Sequence, residues 1–107
     1  MDFVIDVNRI EAVARDHSDN KHIVRREDLK LGLVSVRPHE ELPVHSHEIE
    51  DQLYYVLEGE GIVRLGTEEF PLCPGIAVTI PPGVAHGVRN PTDRPLNYLD
   101  IFINWKK

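Results

Sequence analysis

Three imidazoles and one carboxylate carry the chemistry open to this chain of 107 residues. His45 and His47 lie two residues apart, and alternate residues of a strand share a face, so both rings point the same way, about 7 Å apart along the strand. That is half of a metal site. His86 follows the turn signal Pro81-Pro82-Gly83 and opens a short strand, which lets a third imidazole arrive from another part of a sheet. A strand starting at Gln52 puts Gln52, Tyr54 and Val56 on one face and Leu53, Tyr55 and Leu57 on the other. A fold that lays the first face over the histidines would add an amide oxygen to the ligand set. Asp51 is the rival fourth ligand, on the strand face opposite Gln52.

Three neutral imidazoles and a neutral amide would leave a divalent ion its full charge, whereas a glutamate ligand would halve it. Such an ion polarises a carbonyl or binds a carboxylate well. It is less suited to a higher oxidation state, because no anionic ligand stabilises the added charge. The donor set therefore favours Lewis-acid chemistry over oxygen activation. Imidazole ligands suit zinc, iron, nickel and copper, and manganese stays among the candidates, so the expected cofactor is a divalent transition metal of open identity.

The acid is Asp100. In the run Leu96 to Asn104, Tyr98, Asp100 and Phe102 share one face while Leu99, Ile101 and Ile103 share the other. A carboxylate within an apolar run is costly to bury unless it is paired or used. On a pocket face, low polarity would raise its pKa toward the range where a carboxyl moves protons near neutral pH. The competing reading has Asp100 at the sheet surface or paired with Arg37 or Arg64. Tyr54, on the Gln52 face, is a pocket candidate and equally a core tyrosine.

Short strands separated by Gly and Pro must position these groups. Met1 to Val7 reads as a first strand, Asn8 to Arg15 as a helical turn and Asp16 to Lys21 as a polar loop. His22 to Leu29 reads as a charged edge strand and Leu31 to Arg37 as a clearer one. Pro38 to Pro43 turns the chain into the histidine pair. Gly59-Glu60-Gly61 reads as a hairpin connection, Ile62 to Leu65 as the returning strand, and Gly66 to Glu69 as the next turn. Phe70 to Gly75 leads to the strand Ile76 to Ile80, and Asn90 to Pro95 is a loop before the last strand. The pattern is an antiparallel all-β barrel or sandwich.

The length suits one domain over residues 1–107 with a single core. A net charge of −6 with scattered acids offers no basic patch, which argues against nucleic acid as a partner. No apolar run approaches the roughly 20 residues of a membrane span, and Asp2 and Asp6 interrupt the N-terminal apolar letters, against a signal peptide. The expectation is a soluble, cytoplasmic protein that takes a small-molecule ligand. Cys73 is the single cysteine, expected as a small buried residue beside a turn. His17, His22 and His39 are read as solvated or turn residues. Trp105 could cover the barrel or pack on a second subunit.

The spacing of these residues resembles the two motifs of the cupin superfamily, G-x5-H-x-H-x3,4-E-x6-G and G-x5-P-x-G-x2-H-x3-N. Gly75, Pro81, Gly83, His86 and Asn90 match the second without a gap, and His45, His47 and Gly59 match the first, with 15 residues between the motifs. His39 replaces the opening glycine and Gln52 the glutamate; only Gln52 keeps the six-residue gap to Gly59. The resemblance implies a conical jelly-roll barrel with a metal held inside by His45, His47, Gln52 and His86, and a homodimer. With Asp100-x-Phe102 downstream, the chain is also similar to the small cupins of pectin and alginate breakdown, which convert unsaturated uronates to linear keto acids. That similarity implies that Asp100 transfers the proton and Phe102 shapes the pocket. Those cupins carry an arginine shortly after the Phe, where this chain has only Lys106 and Lys107. The alternatives are a mononuclear iron or nickel dioxygenase and a non-catalytic module that binds a sugar or other small ligand.

Overall fold

Alternation of apolar side chains builds two facing antiparallel sheets. The computed structural model describes residues 4–9 and 19–104. One sheet orders its strands β1 (Asp19–Arg25), β2 (Leu29–Val36), β9 (Leu96–Ile103), β4 (Asp51–Glu58) and β7 (Ala77–Ile80). The other orders β3 (Glu41–His45), β8 (His86–Arg89), β5 (Gly61–Leu65) and β6 (Glu68–Leu72). The chain passes repeatedly between the sheets, as in a jelly-roll barrel. Val34, Val36, Tyr54, Val56, Leu96 and Tyr98 from the first sheet meet Val63, Leu72 and Val88 from the second in one buried core.

Register decides which side chains become neighbours. Across β2, β9 and β4, Lys30, Phe102 and Gln52 form one inward-facing row, Gly32, Asp100 and Tyr54 the next, and Val34, Tyr98 and Val56 the third. The last row is wholly apolar apart from one hydroxyl. The first two bring chemistry to one end of the barrel.

Several boundaries differ from the sequence reading. Gly59 and Gly61 do not join a hairpin: β4 and β5 lie in different sheets, so this connection carries the chain across the sandwich. Gly59 sits at φ 85°, and a Cβ there would fall 2.2 Å from the Pro95 carbonyl oxygen. Gly59→Ala is therefore expected to cost about 3 kcal/mol or more in chemical denaturation, from left-handed strain plus a backbone clash. The tight hairpin is β5 to β6, and residues 68–72, read as turn and lead-in, form a strand. Part of the expected loop 16–21 belongs to β1, whose start lies at Asp19. Pro43 lies inside β3, where an edge position removes the need for its missing N–H. Residues 4–6 are irregular and Val7–Arg9 form a single 3-10 turn, so the described part of the expected first strand is not a strand, and its residues 1–3 lie outside the described residues. Residues 10–18 and 105–107, with the rest of the helical turn, His17, Trp105, Lys106 and Lys107, lie outside the described residues. Cys73 is exposed, contrary to expectation, and has no disulfide.

Candidate metal centre and its buried acid

His45 closes β3, and His86, its register partner, opens β8. His47 stands two residues past the end of β3, in the loop before β4, so the pair does not share a strand as read from the sequence. A backbone bond from Gly83 N–H to the His47 carbonyl (2.7 Å) ties that loop to the Pro81–Gly83 turn. The three rings still converge, with centroids 4.3 to 5.3 Å apart, and a ligand atom of each lies within 4.8 Å of the others.

Tautomers follow from backbone acceptors. Nδ1 of His45 lies 3.0 Å from the Pro43 carbonyl, and Nδ1 of His86 lies 2.9 Å from that of Val84. A carbonyl only accepts, so each Nδ1 carries the hydrogen and each Nε2 keeps a lone pair. Burial first, then the neighbouring His45 charge, lowers the His47 pKa. Burial likewise lowers that of His86, against a hydrogen bond to Val84. Neutral imidazoles are the metal-binding form.

Gln52 and Asp100 lie on adjacent strands, both buried, and Gln52 Nε2 donates to Asp100 Oδ1 at 2.7 Å. The amide oxygen Oε1 is buried with no hydrogen-bond partner among the described residues, as are Nε2 of His47 and Nε2 of His86. Three buried polar atoms without partners at one barrel end fit a cation, because each is otherwise desolvated with nothing to replace water. His45 and Gln52 line a common cavity of about 270 Å³ with Tyr54, Tyr98, Asp100 and Phe102. Asp51 starts β4 on the opposite strand face from Gln52, as expected from alternation.

Asp100 pairs with neither Arg37, which faces Glu40, nor Arg64, which donates to the Gly66 carbonyl. Burial pushes its pKa up to about 6, outweighing the Gln52 hydrogen bond and the His45 charge, which act downward. Phe102 packs edge-on against His47 with centroids 4.9 Å apart. Tyr54 is buried against Tyr98 at 4.6 Å, and desolvation carries its hydroxyl pKa well above the usual range.

Two inward residues escaped the sequence reading. Asn20 on β1 reaches Asp100, its Nδ2 3.5 Å from Oδ2. Lys30 stands at the mouth beside His47, with Nζ 3.4 Å from Glu50, in a hollow also lined by Glu27 and Glu48. The missed signal is the same period of two: Lys30, Gly32, Val34 and Val36 share one face of β2.

A family model described as cupin domain matches residues 32–102, most of the chain and all of this site except Asn20 and Lys30. The chain belongs to this cupin-domain family. Among solved structures, TT1209 from Thermus thermophilus is 34% identical, covering 94% of this cupin and 96% of that chain, with a TM-score of 0.87. KdgF from Halomonas sp. shares the fold at 24% identity and a TM-score of 0.81, covering all of this chain and 96% of the other. MJ1618 of Methanocaldococcus jannaschii is 36% identical over 56 residues, 52% of this chain, and the match spans only 45% of that relative.

Where the motif-one glycine is replaced, His39 holds φ 63°, the left-handed conformation that glycine adopts freely. His39 lies on the surface with Nε2 2.7 Å from Asp93, away from the histidine cluster. His22 is exposed as expected. The exposed His39–Asp93 contact contributes little, so His39→Gly is expected to stabilise the fold by about 1 kcal/mol, read by urea denaturation.

Proposed function

We propose that this cupin is a metal-dependent enzyme of isomerase or lyase type. Its substrate would be a small oxygenated or carboxylated molecule such as a sugar acid. The observation that carries the reading is the pairing of three buried, unpartnered polar atoms, on His47, His86 and Gln52, with the buried Asp100 carboxyl held by Gln52 beside them. His45, His47 and His86 would hold the ion, with Gln52 Oε1 as the fourth donor. When bound, a divalent ion supplies Lewis-acid polarisation of a substrate oxygen.

The protein's own residues do the rest. Asp100 holds or releases a proton at the cavity wall, near neutrality, where general acid–base transfer is most efficient. Gln52 fixes the carboxyl by donating to Oδ1. Phe102 and Tyr98 limit water around it, and the Tyr54 hydroxyl, held protonated by burial, is available as a donor. The resemblance to uronate-converting cupins supports a sugar acid.

The test is a metal titration of stripped protein, done anaerobically, with zinc, manganese, iron, nickel and copper. It is followed by assays of unsaturated-uronate conversion and of oxygen uptake. Metal-dependent conversion without oxygen consumption supports the reading. Oxygen uptake would make the protein a dioxygenase, and metal-dependent binding without turnover a ligand-binding module; either result overturns it.

A further inference from the structure

Gly32 occupies the middle of β2, where a residue without a side chain weakens a strand. A Cβ built there would meet Asn20 Oδ1 at 2.1 Å, Cγ at 3.0 Å and Nδ2 at 3.2 Å. The Asn20 carboxamide thus fills the space that any other residue at position 32 would occupy. Register explains how: Asn20 pairs with Val34 and lies diagonal to Gly32, and Gly32 pairs on its other side with Asp100. Crossing above the glycine, the amide reaches the carboxyl that Gln52 holds from the opposite side.

We propose that Asn20 is a positioning residue for Asp100, seated by the missing side chain of Gly32. Amides from β4 and β1 clamp the two carboxyl oxygens, Oδ1 by Gln52 and Oδ2 by Asn20, fixing the plane of the acid relative to the cavity. Asn20 acts through Asp100, so it touches the reaction indirectly. The functional part of this assignment rests on the enzymatic reading above; the clamp itself does not.

The experiment uses the full chain loaded with zinc, in four forms: parent, Asn20→Ala, Gly32→Ala and the double variant. The Asp100 side-chain carboxyl carbon is followed by carbon-13 NMR, with its resonance identified by its loss in Asp100→Asn. Each single change is expected to move that resonance. The methyl added by Gly32→Ala should lower thermal stability, and Asn20→Ala should restore it by clearing the space. Zinc affinity should stay within about twofold. On an unsaturated uronate, each single variant should lose about tenfold in kcat with KM little changed, and the double variant should be no worse than either, because both remove one contact.

An unmoved Asp100 resonance in both single variants, or a Gly32→Ala defect that persists in full beside Asn20→Ala, overturns the proposal. If Gly32→Ala does not fold, the Asn20→Ala resonance and the recovery of folding in the double variant decide. A parent that converts no uronate overturns the enzymatic reading alone, since the resonance and stability arms still judge the clamp.

Discussion

Asp100→Asn is expected to lose at least 100-fold in kcat on the substrate while making the metal-free protein more stable above pH 6. The activity loss follows from removing the only group at the cavity wall, among the described residues, placed by burial to exchange a proton near neutrality. The stability gain follows from linkage. The carboxyl titrates near 6 in the folded chain against an ordinary value of 3.8, so between those pH values the native state holds a proton that the unfolded state has released. Stability therefore falls as pH rises through that window, and above it the full cost of the buried charge applies, about 3 kcal/mol.

Asparagine removes that cost and keeps the shape. Its Oδ1 still accepts from Gln52, and the longer contact to Asn20 is relieved by turning that amide. The titrating groups facing Asp100 are His45, Glu50, Tyr54 and Tyr98, and all are retained in the variant, so the difference between the proteins isolates Asp100. Urea denaturation of stripped protein at pH 4 and pH 8 checks the claim. Equal stabilities at pH 8 would show that the carboxylate is not penalised, and unchanged turnover would remove it from the chemistry.

His45→Ala is expected to abolish most of the stabilisation that added zinc gives the parent. His45 is exposed, so the truncation leaves the core untouched and the metal-free proteins should melt alike. The loss lies in binding. Partners outside the ligand shell are themselves worth 10- to 100-fold in metal affinity, so deleting one of three imidazoles should cost on the order of 100-fold or more. For the parent, metal at about 1,000 times its Kd contributes about 4 kcal/mol, which is roughly 15 to 30 °C in Tm for a chain of this size. A zinc-dependent rise in Tm that survives His45→Ala, or is absent from the parent, would show that the histidines do not share an ion.

The histidine cluster was legible because its spacing is covalent. One residue, Ser46, separates His45 from His47, and the turn before His86 is written in Pro81, Pro82 and Gly83. The expectation that the first pair shares a strand failed, since β3 ends at His45 and the loop is held by Gly83 instead. Asp100 announced itself as a charge within an apolar run, but its partners did not. Arg37 and Arg64 looked eligible by charge, whereas the fold offered Gln52 and Asn20, 48 and 80 residues away along the chain. The hairpin read into Gly59-Glu60-Gly61 failed because glycine marks a bend without saying which sheet receives the next strand.

Alternation and turn residues, both local properties, determined by themselves an all-β fold of short antiparallel strands, and the motif spacing carried the resemblance to cupins; that the three histidines meet at one point was decided by the tertiary structure. What the tertiary structure decided is register: that Lys30, Phe102 and Gln52 form one row and Gly32, Asp100 and Tyr54 the next, with Asn20 laid across the gap. Register is a property of pairs of strands. It is set by how two faces bury against each other, and a one-residue slip would send every one of these side chains to the opposite face, so no single strand's sequence specifies which carboxyl meets which amide.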